Sequence, residues 1–417
     1  MKPNYPILLL ILFTFFVISF LTNIIGPLIP EIIEDFDLSL FLVGFLPFAF
    51  FLAYGVWSIP AGILMERIGA KRMMLIAFVI AFAGAFAFAL FHNYLFSVLS
   101  LFLIGSGMAM LQVVLYPMLR ATGGEEHFAF NSVLAQLSFG LASFLSPLVY
   151  SRLVRTLQAD GETGYLPARL LNEVVPEGLE WISMYWVFAA IAVVMLIVVA
   201  LTRFPRVELT EEERSGDRES YLELLGKPIV WLYFLGIFFY VGTEQGINSW
   251  TSQFLQEYHG LDPQTDGARA VSRFWGWMTI GTVVGLLILR LFDSRRVLIG
   301  AIALSIAALT AALFGSARIA TLAFPLIGFF ISVVFAIVID LGLNSFDRHH
   351  GTFAGILLSG IVGGAVWTLL IGAVGDLLGL RAGLFLLYVS LAYLLGIGFW
   401  ARPLVRNKTI DWGGKGT

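Results

Sequence analysis

One acidic residue, Glu244, lies in the middle of a long apolar stretch of the sequence. Lys227 and Glu257 bracket this stretch, and their midpoint falls within roughly 3 Å of Glu244 along a helix. Polar side chains recur at every fourth residue there and would share one helix face. They are Tyr240, Glu244, Asn248 and Ser252. Because a carboxyl group in a low-dielectric environment tends to be protonated and can ionise when water or a substrate arrives, the stripe predicts a proton carrier at Glu244.

The composition indicates the environment in which this carboxyl must work. Of 417 residues, 59% are hydrophobic and 13% are charged, whereas soluble domains have about 25% charged residues. A net charge of -3 offers no polycationic surface for nucleic acid. The absence of cysteine excludes disulfides and thiolate metal sites. The sequence therefore predicts an integral membrane protein, and argues against a soluble enzyme, a nucleic-acid-binding protein and a disordered chain.

The apolar runs number twelve and predict an all-α membrane protein with twelve transmembrane helices. An even number of spans places both termini on one side. Most of the 25 Lys and Arg residues fall in segments on that side, so the positive-inside rule predicts cytoplasmic termini. We expect a multi-pass protein of the bacterial inner or plasma membrane. Nearly all acids lie in loops or at helix ends, and Asp376 is expected near one such end.

The most charged stretch, from Arg203 to Lys227, divides the chain into two halves. We expect an N-terminal six-helix bundle over 1–203, a cytoplasmic linker over 204–227 and a C-terminal six-helix bundle over 228–417. The opening Thr210–Glu213 of this stretch resembles a capping box and predicts a short amphipathic helix. A solvated linker is the alternative interpretation.

A weak internal repeat with an offset of about 220 residues relates the halves. Gln112–Val114 aligns with Ser332–Val334, and Leu137–Gly140 aligns with Leu357–Gly360. Span four thereby falls on span ten, and span five on span eleven. Two equal bundles of this kind suit a transporter whose substrate binds between them near the bilayer midplane and is exposed to each side in turn.

The loop after span two carries a recognisable motif, Gly62-Ile-Leu-Met-Glu66-Arg67-Ile-Gly69-Ala-Lys71-Arg72. It resembles the G-x-x-x-D-R-x-G-R-R signature of the major facilitator superfamily, with Glu66 in the Asp place. Ala70 departs from the pattern. Gly69 would supply a tight turn, and the basic cluster could hold helix ends together in one state of a transport cycle. We predict a gating role for Glu66 and Arg67.

A narrower resemblance is to the fucose and glucose/galactose:proton symporter family, typified by the fucose permease. It extends through most of the chain in short segments. They are Pro27–Pro30, Pro60–Met65, Gly105–Pro117, Leu134–Gln136, Tyr240–Glu244 with Ser249-Trp250, the surroundings of Phe335, and Gly360–Asp376. The resemblance implies the twelve-helix fold and suggests transport of a hexose or 6-deoxyhexose.

The sequence departs from the fucose permease at its two proton-coupling carboxylates. The position in span one falls on Gly26, and the position in span four falls on Gln112. Either proton coupling has moved to Glu244, or the protein is uncoupled or driven by another ion. Sodium is one such ion, with oxygen ligands from Thr243, Glu244 and Asn248.

A sugar requires donors and acceptors for its hydroxyl groups and an aromatic face for its C–H side. Gln112 and Tyr116 are one helical turn apart, and Gln136 belongs to the matched Leu-Ala-Gln segment, so these three are the preferred ligands. The full set of predicted substrate-binding residues is Asn23, Gln112, Tyr116, Gln136, Asn248, Trp250, Asn344 and Trp367. Trp57 and Trp275 are further candidate aromatic platforms, although a tryptophan near a helix end is often an interfacial anchor.

A second gating hypothesis follows from the repeat. Arg120 and Asp340 occupy equivalent places at the cytoplasmic ends of spans four and ten. We expect them to pair across the halves when the inner gate is shut; the alternative is two separate solvated charges.

Other functions find little support in the sequence. No glycine-rich phosphate loop follows a strand, which argues against an ATP-driven pump. The five histidines lie in loops or at helix ends, so we expect no metal site, no cofactor and no enzymatic activity. A sugar sensor that binds without transporting would share every feature above. We expect a monomer whose partners are the sugar, a coupling H⁺ or Na⁺ and the membrane lipids.

Overall fold

The computed structural model describes residues 4–124, 127–159, 166–204, 218–345 and 350–402, and the regular structure in these ranges is helical. Within these ranges, eleven straight or broken helices are long and apolar enough to cross a membrane. A twelfth crossing is Pro228–His259, which follows a short helix at a bend of 83°. The predicted all-α protein with twelve spans is therefore confirmed.

In the described part of the chain, spans one to six comprise eight helices, because span one is broken in two and a short helix lies between spans five and six. The helices are α1 (Tyr5–Thr22), α2 (Ile25–Phe36), α3 (Leu40–Ile68), α4 (Ala70–Leu90), α5 (Tyr94–Gly123), α6 (Phe128–Gln158), α7 (Leu166–Val174) and α8 (Ser183–Leu201).

Within the described residues, spans seven to twelve comprise ten helices, because four of these spans, the seventh, tenth, eleventh and twelfth, each consist of two helical segments. The helices are α9 (Arg218–Leu225), α10 (Pro228–His259), α11 (Ala268–Leu291), α12 (Ser294–Phe314), α13 (Ala317–Ile331), α14 (Val334–Leu343), α15 (His350–Ser359), α16 (Gly363–Leu378), α17 (Leu380–Leu384) and α18 (Leu386–Trp400).

The spans pack as two six-helix bundles. In the first bundle, α4 packs on α5 and α8, and α1 packs on α6; in the second, α11 and α12 pack on α13, and α10 packs on α16 and α18. The bundles meet through α2 with α10, α3 with α16, and α6 with α11. The domain limits remain a prediction, since much of the linker, including the Thr210–Glu213 motif, lies outside the described residues.

The assembly of the two bundles has two ends, which we call the termini end and the far end. The termini end holds the start of α1 and the end of α18, and there the Lys71 ammonium donates to the carbonyl of Ala200 at 2.7 Å. At the same end the Gly69 backbone has φ 82°, a left-handed conformation that glycine adopts without strain. This is the tight turn that the motif predicts.

Three spans are broken near mid-bundle. Span one breaks at Asn23 and Ile24, span ten at Ser332 and Val333, and span eleven at the 3₁₀ turn Gly360–Val362. In span one the cause is Pro27, which lacks an N–H and whose ring conflicts with the carbonyl four residues earlier, that of Asn23. These breaks place backbone and side chains of three different spans around one central space.

Candidate functional site

A cavity of about 280 Å³ lies between the two bundles, close to the lower limit of about 300 Å³ for small-molecule pockets. Both bundles contribute to its wall. Its polar lining residues are Thr22, Asn23, Tyr54, Gln112, Tyr116, Gln136, Tyr240, Glu244, Gln245, Thr279, Thr282 and Ser332. Its aromatic lining residues are Phe15, Phe51, Phe139, Trp275 and Phe335, besides the tyrosines.

Glu244 lines this cavity from the middle of α10 and is half-buried. The Tyr240 hydroxyl donates to its Oε2 at 2.7 Å, and the Gln245 amide donates to its Oε1 at 3.0 Å. Of the residues described, no Lys, Arg or His lines the cavity. Since an isolated charge inside a membrane protein is costly, a carboxylate here requires an accompanying cation, and the wall itself supplies none.

The hydrogen bonds continue from Glu244 into the wall behind it. The Asn248 amide donates to Gln245 Oε1 at 3.3 Å, and the Trp275 indole donates to Asn248 Oδ1 at 2.8 Å. Asn248 is buried and serves to orient Gln245 and Trp275, both of which reach the cavity. The Trp275 side chain thereby joins α11 to α10 and fixes an aromatic platform in the wall.

The first bundle presents a complementary set of polar groups. The Gln136 amide donates to the Tyr116 hydroxyl at 2.9 Å, which links α6 to α5. The Asn23 amide donates to Ser143 Oγ at 2.8 Å, whereas its Oδ1 has no hydrogen-bond partner among the described residues. Asn23 lies at the break in span one and lines the cavity, so its Oδ1 is a buried, unpartnered acceptor in the wall of this space.

The structure brings together five of the predicted binding and coupling residues and sets four others apart. Around the cavity lie Asn23, Gln112, Tyr116, Gln136 and Glu244. Outside the cavity lining lie Asn248, Trp250, Asn344 and Trp367.

Each tryptophan of the second group has a packing role. Trp250 is buried, and its indole donates to the carbonyl of Thr368 at 3.2 Å. The Trp367 indole donates to the Ser390 hydroxyl, and its ring occupies the space that a side chain at position 242 would need. Asn344 caps α14 and donates to Asp340 at 2.8 Å. The helical period indicated which residues share a face but not which neighbouring helix covers that face.

Several lining residues lie outside the set predicted from the sequence. Gln245 follows Glu244 directly, but it lies off the four-residue period and so carries no periodic signal. Tyr54, Thr279, Thr282 and Ser332 also line the cavity, and each is flanked in the sequence by apolar residues or glycine. Of the candidate platforms, Trp275 lines the cavity, and it is held by the hydrogen bond to Asn248.

Position 26 has a physical reason to be glycine. A Cβ at Gly26 would overlap the backbone carbonyl of Asn248, because α2 crosses α10 at backbone contact there. No carboxylate side chain fits at this position in the observed state. Gln112, at the other uncharged position, lines the cavity.

The bundles are held together at the far end. The Ser272 hydroxyl donates to the carbonyl of Phe144 at 2.7 Å. The Asp376 carboxylate at the end of α16 accepts the backbone N–H groups of Leu40 and Phe41, at 2.8 and 2.9 Å, and so caps the first turn of α3. These contacts close the far end, while the cavity lining extends from mid-bundle toward the termini end.

The predicted gating residues lie at the termini end. Arg120 is half-buried in the last turn of α5, Glu66 and Arg67 are exposed in the last turn of α3, and Asp340 accepts from Asn344 within its own bundle. The pairing of Arg120 with Asp340 was predicted for a state in which this end is shut, so it stays a prediction.

Comparison with known proteins gives a consistent result across the chain. The model of the Major Facilitator Superfamily matches residues 11–366. A glucose/galactose transporter of Brucella abortus is 28% identical over 399 residues, which cover 92% of this chain and 91% of the relative. An L-fucose-proton symporter of Escherichia coli is 24% identical over 387 residues, covering 88% and 86%.

Solved structures share the fold. The Escherichia coli fucose:proton symporter aligns with a TM-score of 0.66 at 21% identity, covering 96% of this chain and 99% of that one. A bacterial homologue of the human lysosomal transporter Spinster, in an inward-facing conformation, aligns with a TM-score of 0.77 at 17% identity, covering 96% and 97%. At these identities the likeness concerns the arrangement of helices alone.

Proposed function

The chain belongs to the major facilitator superfamily, a family of membrane transporters rather than enzymes, and on that premise we propose that it carries a sugar together with a proton. The names of the relatives support a hexose or 6-deoxyhexose, since they are a glucose/galactose transporter and an L-fucose-proton symporter. The cavity supports the same class of solute, because amide, hydroxyl and phenol groups line it together with aromatic rings.

The observation that carries the proposal is the position of Glu244. It is the single acidic residue in the described cavity lining, and both of its oxygens accept hydrogen bonds from neighbours in that lining. We propose that Glu244 takes up the coupling proton. A sugar hydroxyl that displaces the Gln245 amide or the Tyr240 hydroxyl would then change the free energy of ionising Glu244, and this difference couples the two ligands.

We further propose alternating access by rocking of the bundles over 1–203 and 228–417, joined by the linker 204–227. The termini end, where most Lys and Arg residues lie, is assigned to the cytoplasm by the positive-inside rule. Because contacts between the bundles close the far end, the cavity would then open toward the cytoplasm in the observed state. Arg120, Asp340, Glu66 and Arg67 would form the cytoplasmic gate in the alternate state.

Glu244→Gln in proteoliposomes tests the coupling. We expect the variant to lose accumulation of labelled D-glucose, D-galactose or L-fucose driven by a pH gradient, while counterflow of the same sugar persists. Glu257→Gln is the matched control, because Glu257 is exposed near the far end of the same helix. Sugar uptake by Glu244→Gln that still alkalinises the medium as in the wild type would refute the role of Glu244.

The same preparation separates the alternatives. A sensor gives no counterflow with any sugar. Sodium coupling predicts that uptake at fixed pH depends on Na⁺, and an uncoupled carrier equilibrates the sugar without accumulating it. The proposal requires counterflow, accumulation driven by a pH gradient, and no dependence on Na⁺.

A further inference from the structure

A second cavity lies on the outer surface of the second bundle, between α11, α12 and the break that separates α13 from α14. Its volume is about 290 Å³. Its lining is mostly glycine and apolar side chains, with one charged residue at one end. Representative lining residues are Gly281, Gly285, Gly300, Phe329, Val333 and Arg296. We call this cavity the α11/α12 groove.

The α11/α12 groove is open on the side that faces the bilayer. Leu304 and Phe292, which flank it, are 51% and 53% exposed. An added Cβ at Gly300 would meet no heavy atom within 4 Å. Glycine at this position therefore leaves room in the wall that no neighbouring helix fills.

The length of the groove matches one leaflet of a membrane. Along α12 it extends from Arg296 to Leu304, and along α11 and its C-cap residue from Gly281 to Phe292. At 1.5 Å per residue these distances are about 12 and about 16 Å. Half of a hydrocarbon core about 30 Å thick is about 15 Å. A single acyl chain of the leaflet at the termini end would therefore lie along the whole groove.

The charge at the end of the groove indicates which lipid fits. Arg296 is exposed in the first turn of α12 and, within the described residues, makes no hydrogen bond or ion pair. Its neighbours are engaged: Asp293 accepts the backbone N–H of Arg295, and the Arg295 guanidinium donates to the carbonyls of Gly398 and Phe399. Basic pockets between helices on the cytoplasmic side bind anionic headgroups.

We propose that the α11/α12 groove holds one acyl chain of an anionic phospholipid, whose phosphate contacts Arg296. Ser332 connects this lipid site to the central cavity, because it lines both the groove and the cavity. It also lies at the break of span ten, where its hydroxyl donates to the carbonyl of Phe329 at 2.8 Å. A chain in the groove therefore packs against the segment of span ten that forms part of the cavity wall. The proposal does not depend on which solute is carried.

Native mass spectrometry of the purified full chain, titrated with phosphatidylglycerol or phosphatidylcholine, tests the site. We expect the wild type to bind one phosphatidylglycerol more tightly than phosphatidylcholine. Gly300→Leu should lose this lipid, because the leucine side chain would occupy the groove. Arg296→Gln should bind it about fivefold more weakly, the factor that corresponds to about 1 kcal/mol per basic side chain near a membrane surface.

Two matched variants control for general effects. Gly396→Leu places the same side chain on α18, where an added Cβ would meet only Trp400 at 4.0 Å. Arg290→Gln removes the charge of another exposed arginine at the termini end. Arg290 lies on α11 and does not line the groove. Both should bind phosphatidylglycerol as the wild type does.

Three outcomes would overturn the proposal: equal affinity of the wild type for the two lipids, equal binding by Gly300→Leu and Gly396→Leu, or equal weakening by Arg296→Gln and Arg290→Gln. The exposed arginine variants keep the test decisive if Gly300→Leu does not fold.

Discussion

The contact between Asp376 and the first turn of α3 should act as a latch at the far end. The carboxylate belongs to the second bundle, and the two N–H groups that it accepts belong to the first. Separation of the bundles at this end must break both hydrogen bonds and leave the N-terminus of α3 without its negative cap. Asp376→Asn removes the charge while keeping the size of the side chain. We expect the variant to favour the state in which the far end is open.

The magnitude can be worked from the geometry. An amide oxygen can still accept one of the two N–H groups, so one hydrogen bond, about 0.5–1.5 kcal/mol, is lost. Loss of the charge at an exposed helix N-terminus costs a further 0.3–1 kcal/mol or so. Together the closed state loses about 1–2 kcal/mol, which corresponds to a factor of roughly 5–30 in the equilibrium between closed and open far ends.

The chain lends itself to an accessibility assay, because it contains no cysteine. Thr282 lines the central cavity, and Thr282→Cys gives a single reporter. A membrane-impermeant maleimide added at the far end reaches it only when that end opens. The labelling rate should rise roughly 5–30-fold with Asp376→Asn, in proportion to the open population.

Asp293→Asn is the matched control for this experiment. Asp293 also caps a helix N-terminus, that of α12, but its hydrogen bond to the Arg295 N–H stays within one bundle. Its labelling rate should equal that of the reporter alone. If Asp376→Asn labels at the same rate as Asp293→Asn, the latch does not contribute to closing the far end, and the reasoning is wrong.

Three further predictions follow from the same contacts. Gly26→Ala should raise the labelling of Thr282→Cys from the far end, because its methyl group would overlap the Asn248 carbonyl in the closed state; unchanged labelling would contradict the close approach of α2 and α10. Gln136→Ala should raise the half-saturating sugar concentration in counterflow by about five- to tenfold, because it removes a hydrogen-bonding amide worth about 1 kcal/mol. An unchanged half-saturating concentration would show that Gln136 does not bind the sugar. Trp250→Ala should lower the melting temperature in detergent, because it loses about 3–5 kcal/mol of packing free energy. Trp250→Phe should leave the sugar affinity unchanged. A weaker sugar affinity of Trp250→Phe would show that Trp250 does contact the sugar.

Much of the fold and part of the site could be predicted from the sequence. The apolar runs indicated the twelve spans. Because a charge inside a membrane is costly, the placement of the acidic residues indicated the exceptional position of Glu244. The motif around Gly69 was recognisable because its residue types are tied to a local turn, and Gln136 was indicated by the resemblance of the segment Leu134–Gln136 to a known family. Local chemistry of this kind is readable without knowledge of the neighbours.

The tertiary structure decided everything that depends on which helices touch. Asn248 and Trp250 follow Glu244 on one helix, yet the crossing of α10 with α11 and α16 places them behind the cavity wall. Asp376 looked interfacial in the sequence, and only folding brings it to an N–H group 336 residues away. The physical reason is that an apolar helix in lipid has no sequence period that distinguishes lipid from protein as its neighbour, since both are apolar. The positions of glycines, of helix breaks and of a few buried hydrogen bonds select the packing, and their effect becomes visible only once the helices are assembled.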